Sequence, residues 1–219
     1  MTLYIIRHAD PDYENDTITD FGWQEANALA DWLKDIKIDT IYTSPRGRAI
    51  DTAKPTCEIK GMSSEILPWT EESHDYMAVG DMTHDSQCTY SYSVQKGIYD
   101  FKDFKNNGRM ETIENMIRNS DEFLAARGYV REGGMYRIER DNDERIAVFC
   151  HNGFGTAWIG HLIGLAPGLS FFSLLLNTSS VTTIEFNREF DHDYTRPELR
   201  HMGEVHHLYT AGLPLQRDK

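Results

Sequence analysis

Two histidines in this chain stand directly after short apolar runs. His8 follows Leu3-Tyr4-Ile5-Ile6-Arg7, and His151 follows Ile146-Ala147-Val148-Phe149-Cys150. A neutral imidazole is a competent nucleophile and proton carrier near pH 7. Arg7 precedes the first histidine, and Ser44-Pro45-Arg46-Gly47-Arg48-Ala49 carries two more guanidinium groups at what reads as a helix start. Arginine donates two parallel, charge-assisted hydrogen bonds from a planar fork, a geometry that suits phosphate oxygens. Arg7, His8, Arg48 and His151 are therefore a candidate anion pocket, if the fold brings them to one edge.

The surrounding pattern supplies that fold. Each apolar run has the length and β-branched or aromatic content of a strand buried on both faces. After a polar loop from Ala9, Thr19 can cap a helix in which Ala26, Leu29, Ala30 and Leu33 form one apolar stripe. Asp39 to Thr43 reads as a second strand. Ser44 is then expected as an N-cap with Pro45 at the first helical position, and the helix from Arg46 should stop near Lys54 because Pro55 follows. Glu65 to Leu67 reads as a short strand, Glu111 to Ala126 as a helix and Met135 to Glu139 as a strand. Asn152-Gly153 opens a helix whose free N–H groups favour an anion. An apolar segment over 169–176 reads as a short helix, Val181 to Phe186 and Glu198 to Met202 as the last strands.

Strands alternating with helices predict an α/β three-layer sandwich, with a mostly parallel central sheet and helices on both faces. Parallel strands would deliver His8 and His151 to the same sheet edge, where α/β folds bind ligands. Arg7 and His8 are neighbours, so both can face one ligand only if the backbone bends out of the sheet there. No linker marks a boundary, so residues 1–219 read as one domain. Within it, 73–110 sustains no period and reads as a lid or cap insertion.

Composition narrows the partners. The 219 residues hold 22 Lys and Arg against 35 Asp and Glu, a formal charge of −13. That sign disfavours nucleic acid or an anionic membrane as partner but leaves room for a local cationic pocket. The three cysteines are widely spaced, with no CxxC and no zinc-ligand spacing, which fits a reducing cytoplasmic compartment. No signal-peptide pattern and no membrane-length apolar run is present. Cys150 and His161 read as core residues, Arg46 as a solvated helix-start residue, and His206-His207 as sheet-edge or surface structure.

Four ordered segments resemble the histidine phosphatase (phosphoglycerate mutase-like) superfamily. Arg7-His8-Ala9 is similar to its Arg-His-Gly signature, and Ile18 to Ala26 to its Leu-Thr-x-x-Gly-x-x-Gln-Ala segment. Thr43 to Ala53 resembles Ser-Ser-Pro-x-x-Arg-Ala-x-x-Thr-Ala, and Ala147 to Gly153 resembles the second-histidine strand. Asn177 to Thr182 and His207-Leu208 add weaker likenesses near the end. The resemblance implies a phosphomonoester hydrolase in which His8 becomes a phosphohistidine. Arg7, Arg48 and His151 would hold the phosphoryl oxygens, and an acidic residue after the third strand would be the proton donor. Glu71 fits that position best, with Glu72 second and Asp75 or Asp81 further out.

The family's phosphate-binding asparagine stands six residues after its nucleophile. Here that position is Glu14, and Asn15 is the nearest match. Ala9 replaces the family's glycine. The glycolytic mutases' Glu-Arg-His-Tyr-Gly-like motif is missing, which favours a phosphatase over a mutase acting on a small phosphorylated acid. A non-catalytic phospho-ligand binding module is the reading from another class. The expected partner is a small phosphorylated substrate, and the chemistry implied needs no metal and no cofactor.

Overall fold

Strand β1 (Thr2–Arg7) carries the core on both its faces because its side chains alternate. Leu3 and Ile5 enter one hydrophobic cluster, while Ile6, with Tyr4 beside it, enters another on the opposite side. The computed structural model describes residues 1–76, 90–93, 98–101, 109–165, 170–171, 173–187 and 193–216.

Around β1 lie β2 (Thr40–Thr43), β3 (Ser64–Ile66), β4 (Arg145–Cys150), β5 (Val181–Glu185) and β6 (Glu198–Glu204). They form one six-stranded sheet in the order β6-β5-β1-β4-β2-β3. The β1–β4, β4–β2 and β2–β3 pairs are parallel, whereas β5 and β6 join antiparallel at one side. On one face pack α1 (Asp20–Leu33) and α2 (Gly47–Lys60), through Leu29, Leu33 and Ala53 against Ile41, Ala147 and Phe149. On the other pack α3 (Arg109–Ala125) and α4 (Asn152–Ile163), through Met116, Phe123, Phe154 and Trp158 against Ile5, Val148 and Cys150. This is the expected α/β sandwich with a mostly parallel sheet and helices on both faces.

Several local expectations are corrected. Helix α2 runs through Pro55 to Lys60, and Gly61 closes it in a left-handed conformation, its N–H reaching the Cys57 and Glu58 carbonyls. Proline removes one intrahelical bond, but Ala53, Pro55 and Thr56 lie on the buried face and packing holds the last turns in place. Ser44 is not the cap of α2. The helix starts at Gly47, whose N–H donates to Asp16 Oδ2 at 3.0 Å, so a carboxylate from a distant loop does the capping. Met135–Ile138 is a strand, but it pairs with Tyr129–Glu132 and Tyr194–Thr195 in a separate antiparallel sheet. The expected helix over 169–176 lies partly outside the described residues; 170, 171 and 173 are helical, with Leu174 N donating to the Ser170 carbonyl at 2.9 Å, and the helix ends there, 174–177 having no regular structure. Much of the expected lid over 73–110 also lies outside them; within it, Tyr90–Ser93 and Ile98–Phe101 pair as an antiparallel hairpin.

His207 is buried rather than at the surface. It lies on a short helix, α5 (His206–Thr210), with Nε2 2.8 Å from Ser179 Oγ and its ring against Trp32. Cys150 and His161 are buried as expected, His161 with its Nε2 3.1 Å from Asp121 and its ring beside Arg131. Among the described residues no helix is long and apolar enough to cross a membrane.

Candidate active site

The parallel pairing of β1 and β4 ends with Arg7 opposite Cys150, so the next residue of each strand emerges at the same sheet edge. Those residues are His8 and His151, and their ring centroids lie 5.3 Å apart. The His8 backbone is held on both sides. Its N–H donates to the Cys150 carbonyl at 2.8 Å, and its carbonyl accepts from Ser179 N at 3.1 Å. Strand pairing stops at Arg7, which frees His8 from strict alternation.

His8 Nδ1 lies 2.8 Å from the Ala9 carbonyl oxygen. A carbonyl only accepts, so Nδ1 must carry the ring proton and Nε2 holds the lone pair. The ring is 2% exposed. Burial first, then the Arg7 charge, pushes its pKa down to about 3, against the opposing pull of the Ala9 carbonyl. His8 is therefore a neutral imidazole at pH 7 with its lone pair fixed on one nitrogen.

His151 is the N-cap residue of α4 in extended conformation. Its Nε2 lies 2.7 Å from Ser44 Oγ, while buried Nδ1 meets no hydrogen-bond partner among the described residues. Burial, then the proximity of His8 and Arg48, lowers its pKa to about 2. Two uncharged imidazoles thus face one another beneath buried guanidinium groups.

Arg7 is buried and donates through Nη1 to the Leu176 carbonyl at 2.5 Å. Arg48, on the first turn of α2, is also buried and pairs through Nη1 with Asp16 Oδ1 at 2.7 Å. Asp16 adopts a left-handed φ of 48°, and its other oxygen caps α2 at Gly47. Its carboxyl sits below the usual range; burial opposes this, but the Gly47 N–H and Arg48 outweigh it. One carboxylate thereby fixes both the helix start and the guanidinium it carries. The exposed ring of Tyr13 lies 5.5 Å from Arg48 Cζ and edge-on to His8.

Asn15 does not join the cluster. Its side chain is at the surface and donates to Asp12 Oδ2 at 2.8 Å. The tight turn that sends Asp16 inward turns Asn15 outward. Glu71 is also at the surface, half-exposed and paired with Arg46 at 2.6 Å. Arg46 is therefore half-solvated and ion-paired rather than free.

Glu72 is held at the start of α4, directly after His151. Its two oxygens accept from Gly153 N at 3.0 Å and Phe154 N at 2.9 Å, the first N–H groups after His151 on α4. Burial raises its pKa, while these N–H bonds and the Arg48 charge pull the other way. A buried carboxyl with a raised pKa, anchored where α4 leaves His151, can give and take a proton.

Ser44, Asp16 and Glu25 are the residues that pattern reading passed over. Glu25 is fully buried on α1, its oxygens accepting from Asp10 N at 2.7 Å and Thr178 Oγ1 at 2.8 Å. It ties the loop after His8 to the loop before β5. A signal for it existed, since Glu25 lies four residues before Leu29 on the apolar stripe. Ser44 was masked by its plausibility as a cap, and Asp16 is one of several loop carboxylates. Among the described residues no group of three or more His, Cys, Asp or Glu is placed to hold a metal ion.

The model of the histidine phosphatase superfamily (branch 1) matches residues 3–192. This chain belongs to that superfamily. No curated protein sequence matches it significantly. Solved structures share its fold at low identity. One is phosphoserine phosphatase from Entamoeba histolytica in complex with 3-phosphoglyceric acid, with a TM-score of 0.64 and 18% identity over 94% of this chain and 98% of that one. Another is a mycobacterial glucosyl-3-phosphoglycerate phosphatase, with a TM-score of 0.62 and 19% identity over 92% and 98%. A third is the alpha-ribazole phosphatase from Shigella flexneri, with a TM-score of 0.57 and 18% identity over 94% and 97%. The histidine phosphatase fold is thus common to this chain and to phosphatases named for three different phosphate esters.

Proposed function

We propose that this protein hydrolyses small phosphate monoesters through a covalent phosphohistidine on His8. The observation that carries the reading is the bond from His8 Nδ1–H to the Ala9 carbonyl, which leaves Nε2 as the nucleophile. The Nε2 lone pair attacks phosphorus, a P–N bond forms and the P–O bond to the leaving alcohol breaks. Arg7, Arg48 and His151 hold the three equatorial oxygens as charge redistributes, which is the main demand of phosphoryl transfer.

Glu72, rather than Glu71, is the proton donor in this reading. Burial raises its pKa and so favours the protonated form, and in this reading it gives that proton to the departing oxygen. The resulting carboxylate then takes a proton from water as the water oxygen attacks phosphorus. The P–N bond breaks, phosphate leaves, and the neutral His8 and protonated Glu72 are restored. The cycle closes without a metal or a cofactor.

The solved relatives are named for phosphoserine, glucosyl-3-phosphoglycerate and alpha-ribazole phosphate, which supports a small phosphorylated metabolite as substrate. The free thiols of Cys57 and Cys150 fit a reducing, cytoplasmic setting. The test is to mix enzyme with a labelled phosphomonoester and quench in alkali, where a phosphohistidine survives and in acid does not. An acid-labile, alkali-stable label absent from His8→Ala is expected. Wild-type turnover by His8→Ala would overturn the proposal.

A further inference from the structure

One peptide plane, that of Ala9–Asp10, holds the ring proton of His8. Its carbonyl accepts from His8 Nδ1 at 2.8 Å, and its N–H donates to Glu25 Oε2 at 2.7 Å. A trans peptide is planar, with C=O and N–H pointing opposite ways, so neither end turns without the other. The His8 ring and the Glu25 carboxyl therefore grip opposite ends of one rigid unit. The plane before it is held separately, by Ala9 N donating to Thr52 Oγ1 at 2.9 Å.

Helix α1 is shaped to bring Glu25 there. Gly22 lies three residues earlier on the same helix face, and a Cβ on it would come 2.4 Å from the Asp10 carbonyl oxygen. The missing side chain lets the loop after His8 lie against the helix. Thr19, the N-cap, clasps the same residue: its N–H donates to the Asp10 carbonyl at 2.9 Å and its hydroxyl to Asp10 Oδ2 at 2.6 Å. Glu25 is fully buried, and its other oxygen, Oε1, accepts from Thr178 Oγ1 at 2.8 Å. Two accepting oxygens are the pattern of a carboxylate. Burial raises its pKa, while the two hydrogen bonds and the Arg7 charge pull the other way.

A neutral amide could make both of these bonds. The charge adds polarisation: a hydrogen bond to an anion is the stronger kind, and it leaves more negative charge on the far end of the peptide it holds. That far end is the Ala9 carbonyl oxygen. It keeps the His8 proton on Nδ1 more firmly and makes the Nε2 lone pair more basic.

We infer that Glu25 is a positioning residue for the nucleophile, acting through the Ala9–Asp10 peptide to fix the His8 tautomer and enrich the lone pair on Nε2. This part of Glu25 presupposes the phosphohistidine reading, and it is distinct from joining two loops. The bond to Thr178 does the joining. Ser179, next in the chain, gives its N–H to the His8 carbonyl at 3.1 Å, which fixes main chain rather than ring.

Glu25→Gln, Glu25→Ala and Thr178→Val separate the two parts in the whole chain. The family segment that Ile18 to Ala26 resembles has glutamine at this place, and its amide can accept from Asp10 N and donate to Thr178 Oγ1, so Glu25→Gln should fold. Ring nitrogen-15 and proton resonances of His8, assigned by their loss in His8→Ala, read the tautomer. Rapid-quench labelling from p-nitrophenyl phosphate reads phosphoenzyme formation. Wild type should carry the proton on Nδ1 alone. Glu25→Gln should keep that tautomer, move the Nδ1–H proton upfield and slow phosphoenzyme formation about two- to fivefold. Glu25→Ala should show both tautomers and slow it about tenfold or more, since an acceptor that fixes the tautomer of a catalytic imidazole carries orders of magnitude in rate when it acts directly. Thr178→Val should lower the thermal midpoint yet leave the His8 ring resonances at their wild-type positions. Ring resonances unmoved in Glu25→Gln, or moved as far in Thr178→Val, would overturn the part assigned to Glu25 and leave the phosphohistidine standing. Full labelling of His8→Ala, or none of an active wild type, would overturn the phosphohistidine and this part with it.

Discussion

Ser44 Oγ lies 2.7 Å from His151 Nε2, in a fully buried position. The same oxygen accepts from Arg46 N at 3.3 Å, so the hydroxyl hydrogen is left for the imidazole. A neutral His151 that accepts at Nε2 must carry its proton on Nδ1, the nitrogen that has no partner among the described residues. Ser44 therefore converts His151 into a donor towards a phosphoryl oxygen. Ser44→Ala leaves a buried ring nitrogen unsatisfied, worth about 1–3 kcal/mol, and lets the tautomers mix. Turnover should fall about tenfold or more. Nitrogen-15 shifts of the His151 ring should show the proton divided between both nitrogens, which a merely structural loss would not produce.

The two adjacent glutamates separate the sequence position from the chemical position. Glu72→Gln keeps an acceptor for one of the two α4 N–H groups, turns an NH2 towards the other, and cannot cycle a proton. Its kcat on an alkyl phosphate should fall by about 10² to 10⁴. The loss should be smaller on p-nitrophenyl phosphate, whose leaving group needs little protonation. Glu71→Gln breaks a half-exposed ion pair with Arg46 and should change kcat on p-nitrophenyl phosphate by no more than about threefold. Steady-state kinetics of both variants on both esters decides the assignment.

The sheet and the histidine pair were readable because their signals are one-dimensional. A buried strand followed by a polar residue is visible in Leu3 to His8 and in Ile146 to His151, and parallel pairing makes the two equivalent. What pattern reading missed depends on contacts between distant segments. Asp16 caps α2 across 31 residues, a partnership that no local rule encodes. Glu71 and Glu72 are indistinguishable by type, and only the approach of α4 selects one. Pro55 ends a helix by local propensity, yet the buried face of α2 carries the helix past it. Asn15 turns outward because Asp16 takes a left-handed backbone conformation. Tertiary context decided each of these.

Acid should destabilise the protein before its carboxylates titrate. Burial holds His8 and His151 at about 3 and 2, against 6.5 for a free histidine, and His207 at about 4. Between pH 6.5 and those values the unfolded chain binds protons that the folded chain refuses. Stability therefore falls as pH falls through this window, by at most about 1.4 kcal/mol per pH unit per site. Glu25 and Glu72 work in the opposite sense, since a raised folded pKa favours the folded state at low pH, but they are two groups against four, because burial lowers His161 as well. Denaturation midpoints measured from pH 7 to 4.5 should drop, and His151→Asn should flatten the curve. Saturating phosphate should flatten it too, because an anion beside the rings raises their pKa values.

Gly153 offers the sharpest separation of chemistry from folding. A Cβ built there would lie 2.8 Å from Glu72 Oε1 and 3.3 Å from Glu72 Cδ and Oε2, closer than side chains tolerate. What it meets is the end of a side chain rather than backbone, so the strain can be relieved by moving Glu72. That movement withdraws the carboxyl from the N–H groups of Gly153 and Phe154, the residues that follow His151. Alanine is also the better helix former at this position, which offsets part of the lost contact. Gly153→Ala should keep its thermal midpoint within a few degrees of wild type. Turnover should fall towards the level of Glu72→Gln, and adding Glu72→Gln should cause little further loss. Phosphoenzyme formation from p-nitrophenyl phosphate should persist in both variants, because His8, Arg7 and Arg48 are untouched. A double-mutant cycle showing independent, additive losses at Gly153 and Glu72 would sink the idea that the glycine exists to admit the carboxyl.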